Sequence, residues 1–84
     1  MNSRHRKTLE QVFAVPVPKA MVWADIEALL MAAGAERVNR GGSMVSFFLN
    51  DERGDFHRPH PAKEAKPYQV RDARRLLELA GVTP

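Results

Sequence analysis

The sequence predicts an α+β domain whose order is helix–strand–strand–strand–helix, preceded by one extra N-terminal helix. Apolar residues recur at helical spacing in three segments, one continuous apolar run reads as a strand, and prolines separate these elements. Two helices on one face of a three-stranded antiparallel sheet is the simplest packing for this order. The 84 residues, 44% of them hydrophobic, suffice for a single small core. We expect an N-terminal helical arm and linker at residues 1–20 and the main domain at residues 21–84.

The N-terminal segment predicts a short helix over residues 3–14, with three apolar residues on one face. These residues are Leu9, Val12 and Phe13. Pro16 and Pro18 end the helix and favour an extended linker over residues 15–20.

The first helix of the main domain is predicted over residues 23–33. Asp25 and Glu27 suit the positive end of its dipole, and Gly34 is typical of a helix stop. We expect Trp23 to anchor the helix start in the core. The predicted buried stripe consists of Val22, Ile26, Leu29, Leu30 and Ala33.

Three strands are expected next, over residues 36–40, 44–49 and 56–58. Gly41 and Gly42 predict the first turn, and residues 50–54 predict a polar hairpin loop. In the middle strand one face would carry Val45, Phe47 and Leu49. The other face would carry Met44, Ser46 and Phe48, and the serine indicates that this second face is exposed.

The last helix is expected to follow a proline-rich loop that crosses the sheet. Pro67 fits its first turn and Gly81 its end. The predicted buried stripe is Val70, Ala73, Leu76, Leu77 and Ala80. Arg71, Arg74 and Arg75 are expected on the outer face of this helix.

The composition favours a cytoplasmic protein with a partner of negative charge. The formal net charge is +3 and cysteine is absent, which excludes disulfides, thiolate metal sites and cysteine nucleophiles. No apolar run reaches the length of a membrane span, and no long apolar region follows the basic N-terminus, so we expect neither a membrane anchor nor a signal peptide. Clustered Lys and Arg beside an aromatic strand indicate RNA binding, although ordinary solvated surface gives the same pattern.

Several short motifs, taken in order, resemble the HicA toxins of bacterial HicAB toxin–antitoxin pairs. The resemblance covers about residues 22–82 and depends on the order and spacing of the motifs rather than on any one of them. The motifs are Asp25-Ile26-Glu27-x-x-Leu30, Gly34, Gly42-Ser43, His60-Pro61, Lys63-Glu64-x-Lys66-Pro67 and Val70-Arg71-x-x-Arg74-x-x-Leu77-x-x-Ala80-Gly81.

The resemblance implies a double-stranded-RNA-binding-domain-like α-β-β-β-α fold and a sequence-nonspecific mRNA interferase, that is, an endoribonuclease. It also implies a HicB-like antitoxin that covers the RNA-facing surface. The N-terminal arm is similar to that of a subgroup with an extra helix before the core. No cofactor is implied.

The sequence departs from the family at its catalytic position. The family's histidine stands on the long strand directly after Gly-Ser or one position later, where this chain has Met44 and Val45. Neither side chain can accept or donate the proton of a ribose hydroxyl. Either another group acts here, or the protein binds RNA without cleaving it, or the sequence has been altered at this site.

His57 and His60 are the remaining candidates for catalysis. They flank Arg58 and could form an acid/base pair, with the arginine stabilising the charge that develops on phosphate. The alternative is one histidine on the exposed sheet face and one that fixes the proline loop. Two histidines three residues apart without a carboxylate or thiol do not predict a metal site.

The expected RNA-binding residues are basic or hydroxyl-bearing and lie around the same loop. They are Arg40, Ser43, Arg58, Lys63 and Lys66. The expected partner-binding residues are those of the exposed strand face, Met44, Ser46 and Phe48. Phe48 and Tyr68 could stack on bases, but core packing for the first and a helix-start anchor for the second are the simpler interpretations.

Three functions remain open from the sequence. The first is a toxin of a HicAB pair that binds mRNA and cleaves it. The second is a non-catalytic RNA-binding or regulatory domain on the same fold. The third is a module whose only physiological ligand is an antitoxin-type partner.

Overall fold

Three antiparallel strands in the order β1-β2-β3 form the sheet, with helices covering one face. In the computed structural model, which describes residues 1–84, the strands are β1 (Glu36–Gly41), β2 (Met44–Leu49) and β3 (Glu52–His57). The helices are α1 (Ser3–Val12), α2 (Trp23–Ala32) and α3 (Pro67–Leu79). The predicted α+β class and the α-β-β-β-α order after an extra helix are therefore confirmed.

The core lies between one face of the sheet and the three helices. Val45, Phe47 and Leu49 of β2 belong to a single buried apolar cluster, which the helices complete from the other side. The helical members include Leu9, Val12, Ile26, Leu29, Leu30, Val70, Ala73, Leu76 and Leu77. The alternation predicted for β2 is thus confirmed for this face, because side chains on a strand point to opposite sides in turn.

The N-terminal arm packs against the main domain through α1. Leu9 and Val12 are buried in the common core, and Arg74 of α3 donates hydrogen bonds to the carbonyl oxygens of Val12 and Ala14, both at 2.8 Å. The expectation that Arg74 lies on the outer face of α3 is therefore wrong. Its guanidinium caps the unpaired carbonyls that end α1, so the arm is fixed by polar as well as apolar contacts.

The β2–β3 hairpin is tighter than predicted. The turn consists of Asn50 and Asp51 at positive φ (49° and 66°), and β3 begins at Glu52, within the stretch expected to be a loop. Gly54 lies inside this strand, where an added Cβ would stand 2.9 Å from Leu76 of α3. The sequence predicts a loop here because these residues are polar. They lie on an edge strand, where one face is exposed to water and polar side chains are common.

No helix of the protein combines the length and the apolar character that a membrane span requires.

Candidate functional site

An open cleft of about 560 Å³ lies where β3 ends and the crossing loop begins. We call it the histidine cleft, since it is lined by His57 and His60. Its other lining residues are Ser43, Arg58, Pro59, Ala62, Glu64, Lys66, Tyr68 and Gln69. Residues from the β1–β2 turn, the end of β3, the crossing loop and the start of α3 therefore meet at one place.

Backbone pairing between the start of β2 and the end of β3 positions Ser43, His57 and Arg58 in the histidine cleft. The amide of Arg58 donates to the carbonyl of Ser43 at 2.8 Å, which extends the β2–β3 pairing one step past the end of β3. Within the ladder, His57 pairs directly with Met44. Residues opposite each other in an antiparallel pair project from the same face, so the side chain of His57 shares the open face with that of Met44.

Gln69 fixes the α3 side of the histidine cleft. Its side chain is only 2% exposed, donates a hydrogen bond to the carbonyl of His57 and accepts one from the amide of Lys66 at 2.9 Å. One side chain thus ties the start of α3 to the end of β3. A buried glutamine two residues after a helix-starting proline is the signal for this role, and our sequence interpretation missed it.

A buried carboxylate, that of Glu27 in α2, fixes the position of Arg58, which lines the histidine cleft. Glu27 is 8% exposed and receives two bonds from Arg58, Nε at 2.7 Å and Nη2 at 3.2 Å. Arg37 of β1 adds a bond at 3.1 Å and the indole Nε1 of Trp23 adds another. These contacts join α2, β1 and the end of β3 through one side chain. We call Glu27, Trp23, Arg37 and Arg58 the Glu27 cluster.

The carboxylate of Glu27 and the guanidinium of Arg58 stabilise each other's charged forms. Burial alone would raise the pKa of the Glu27 carboxyl, but the hydrogen bonds from Arg58, Trp23 and Arg37 outweigh burial and hold the pKa below its usual value. The same pairing raises the pKa of Arg58. Our interpretation of Glu27 as a first-turn dipole residue missed this cluster, although its position one helical turn after the core-facing Trp23 was a usable signal.

The predicted RNA-binding residues divide into three groups. Ser43, Arg58 and Lys66 line the histidine cleft, and Lys63 lines a depression next to it. Arg40 lies apart, since its Nε donates to Ser46 Oγ at 3.0 Å on the open face of the sheet. Arg58 differs from the two lysines, because Glu27 engages its Nε and one of its terminal nitrogens.

The predicted partner-binding face is less open than the serine suggested. Ser46 is 1% exposed, because its hydroxyl donates to Asp55 at 2.6 Å and accepts from Arg40. The expectation that Ser46 is accessible is therefore wrong, and the buried hydroxyl is satisfied by charged neighbours. Hydrogen bonds from Ser46 and Arg53 lower the pKa of Asp55. Met44, at 36% exposure, remains open.

Aromatic residues near the site are more exposed than predicted. Phe48 lies outside the core cluster, with the guanidinium groups of Arg40 and Arg53 at 6.0 and 5.5 Å from its ring centroid. Tyr68 lines the histidine cleft and is 49% exposed, so it is no helix-start anchor. Trp23, in contrast, is buried at the start of α2 as expected.

The geometry defines a class of protein: a small α+β domain with a polar cleft that joins two histidines, a free lysine and an exposed tyrosine. No group of three or more His, Asp or Glu side chains is arranged to hold a metal ion.

A comparison with known protein families agrees with this class. The family described as HicA toxin of bacterial toxin–antitoxin matches residues 23–82, which is most of the chain. The chain therefore belongs to the HicA toxin family and is a toxin of a toxin–antitoxin system, and membership implies an antitoxin partner. No curated protein and no solved structure matches the chain. The matched region begins at Trp23, so α1 and its linker lie outside it.

Proposed function

We propose that this chain is the toxin of a HicAB pair and that it binds mRNA in the histidine cleft and cleaves it as an endoribonuclease. The observation that supports this most is the meeting of His57, His60 and Lys66 in one open cleft. An enzyme that cuts RNA without a metal needs a proton acceptor, a proton donor and a cation near the phosphate. The cleft contains side chains of these three kinds.

The reaction that fits these groups is transesterification within the RNA chain. One imidazole removes the proton of the ribose 2′-hydroxyl, whose oxygen then forms a bond to the adjacent phosphorus. The bond from phosphorus to the 5′-oxygen breaks, and the second imidazole gives that oxygen its proton. The products are a 2′,3′-cyclic phosphate and a free 5′-hydroxyl, so atoms and charge balance without a cofactor.

The position of His57 supports its role in place of the family's histidine. Of the two positions implied by the resemblance, Val45 is fully buried toward the helices, whereas Met44 faces outward. His57 stands directly across the strand pair from Met44, with the Cβ atoms of such pairs about 5 Å apart. A histidine therefore lies beside Met44, which occupies one of the two positions implied for the family's catalytic histidine, on the same face of the sheet.

Phosphate binding is assigned chiefly to Lys66 and Lys63, with Ser43 as a hydrogen-bond donor. Neither lysine makes an ion pair within the protein, so both ammonium groups are free for phosphate. Arg58 adds positive charge from the cleft wall, while its pairing with Glu27 keeps it in place. Binding that neutralises several phosphates should weaken by orders of magnitude from low to moderate salt.

The proposed antitoxin is a HicB-like protein that covers the open sheet face and the histidine cleft together. Met44 and Phe48 supply apolar contact on that face, flanked by Arg40 and Arg53. The net charge of +3 favours an acidic partner and fast association. Such a partner would compete with RNA. A Met44→Glu change should weaken the complex, because it introduces a charge without a partner into the interface.

A non-catalytic RNA-binding module is the second candidate. The observation in its favour is Met44 itself, which leaves the family's usual catalytic position without a titratable group. On this alternative the histidine cleft binds RNA but does not cleave it.

A gel assay with a long RNA separates the two candidates. We expect the native protein to cleave, and His57→Ala and His60→Ala each to lower the rate by about 100-fold or more, the usual contribution of acid–base catalysis, while RNA binding persists. His5→Ala is the matched control, since His5 lies on α1 and outside the histidine cleft. Binding without any cleavage by the native protein would establish the second candidate instead.

A further inference from the structure

Two further depressions continue the histidine cleft toward the N-terminal arm. The first, of about 310 Å³, shares Arg58, Pro59 and Ala62 with the cleft and adds Lys63. The second, of about 400 Å³, shares Val22 with the first and is lined by Lys19 of the arm. The three depressions therefore adjoin in a row, which we call the lysine path, from Lys66 past Lys63 to Lys19.

Backbone hydrogen bonds hold the middle of the lysine path together. The amide of Trp23 donates to the carbonyl of Lys63 at 2.9 Å, and the amide of Ala65 donates to the carbonyl of Met21 at 2.7 Å. Val22 and Glu64 pair between them as an isolated antiparallel bridge. The end of the arm and the crossing loop are thus joined by a short backbone pairing that includes Lys63, and Lys19 precedes this pairing in the chain.

The charges along the lysine path favour an extended anion. Lys19, Lys63 and Lys66 make no ion pair and no side-chain hydrogen bond within the protein. Of the two acidic residues on the path, Asp25 is paired with Arg4 at 3.1 Å, which leaves Glu64. Lysines spaced along a groove are the pattern by which proteins follow the backbone of single-stranded nucleic acid.

We infer that the lysine path binds the single-stranded RNA that extends beyond the histidine cleft, with Lys63 and Lys19 as successive phosphate contacts. This inference rests on the proposed RNA-binding function and adds a subsite to it. Because Lys19 precedes the region that matches the HicA family, the arm adds binding surface outside that region. The RNA that it binds best is therefore longer than the segment that fits the cleft.

The test measures the affinity of the full chain for fluorescent single-stranded RNA of two lengths, about 4 and about 12 nucleotides, within the range of known single-strand sites. Lys19→Ala should weaken binding of the long RNA several-fold and leave the short RNA unchanged. The slope of log affinity against log salt should fall by about 0.7, the value for one phosphate on a single strand. Lys63→Ala should weaken binding of both RNAs, because Lys63 lies next to the histidine cleft and is a phosphate contact of the proposed function.

Arg75→Ala is the matched control, since Arg75 lines a groove with Arg53 and Asp72 that shares no residue with the lysine path. It removes one exposed cation and should change neither affinity by more than a small factor. An equal loss for both RNAs in Lys19→Ala would mean general electrostatic attraction and would overturn the path.

The outcome also separates this inference from the proposed function. If the short RNA binds and Lys66→Ala weakens it, while Lys19→Ala has no effect on the long RNA, the path is wrong and the cleft stands. If neither RNA binds, both fail. If Lys19→Ala weakens the complex with the antitoxin and not with RNA, the outer groove belongs to the protein partner and the inference is overturned.

Discussion

Arg58 and Lys66 line the same cleft but differ in what they do there. Arg58 is bound by two hydrogen bonds to Glu27, a carboxylate almost removed from water. Lys66 is exposed and has no acidic partner. A cation that is already paired stabilises the fold, whereas a free cation can exchange its water for a phosphate. The positive residues around this site therefore divide into a structural set, paired within the fold, and a free set, available to a ligand, which the sequence alone does not separate.

Glu27→Gln should have the largest effect on stability. The change leaves Arg58 and Arg37 without a countercharge in a partly buried setting, which costs about 3 kcal/mol. Urea denaturation measures the loss. Asp25→Asn is the matched control on the same helix, because its pair with Arg4 is exposed to water and should matter by less than about 1 kcal/mol. Equal losses in the two variants would contradict the division into sets.

The contribution of Glu27 should depend on pH. Because the folded-state pKa of this carboxyl is lowered from 4.5, the stability it confers is fully present above that unfolded value. It is lost as the pH falls through the lower folded-state pKa. The difference in unfolding free energy between the native protein and Glu27→Gln should therefore shrink between neutral and strongly acidic pH. Asp55, whose pKa is also lowered, is present in both proteins and cancels.

Arg74→Ala should have an intermediate effect, since Arg74 is an arginine of α3 that belongs to the structural set. Removing its two bonds to the end of α1 and its contact with Phe13 should cost about 1–2 kcal/mol. Arg71→Ala, at an exposed position of the same helix, should stay within about 0.5 kcal/mol. Thermal or urea unfolding of both variants measures the two losses of stability. The loss should be larger for Arg74→Ala than for Arg71→Ala.

The Lys63→Ala, Lys66→Ala double variant should have the smallest effect on stability, within about 0.5 kcal/mol. Its affinity for RNA should nevertheless fall, and by the same factor for every sequence, because phosphates carry no sequence information. A filter-binding titration against several RNAs measures this. Unchanged affinity would remove the crossing loop from the interface, and a loss of stability would move these lysines into the structural set.

The fold was largely predictable because periodic apolar residues decide it. The apolar faces of α2, α3 and β2 are buried largely as expected, and a glycine turn joins β1 to β2. The expectation that Val22 is buried is wrong, because it is 43% exposed and pairs with Glu64 just before α2 begins. The start of β3 was missed, since Glu52, Arg53 and Asp55 lie on an edge strand whose polar side chains look like a loop.

The site was predictable as a location but not as a set of contacts. The sequence predicted that the histidines and lysines lie close together, because they fall within one short stretch of the chain, residues 57–66. It gave no sign that Arg58 pairs with Glu27, since this contact joins residues far apart in the chain and depends on how α2 packs. Ser46 was misjudged for the same reason, because Asp55 on the next strand buries it.

The central claim is that His57 performs the chemistry that the family assigns to a histidine on β2. A rescue experiment tests it most directly, with RNA cleavage measured for the native protein, His57→Ala, and His57→Ala combined with Met44→His. Because residues 44 and 57 face each other across one strand pair, the account predicts cleavage by the native protein, loss in the single variant and recovery in the double variant. Full cleavage by His57→Ala, or a double variant that binds RNA as well as the native protein and stays inactive, would contradict it.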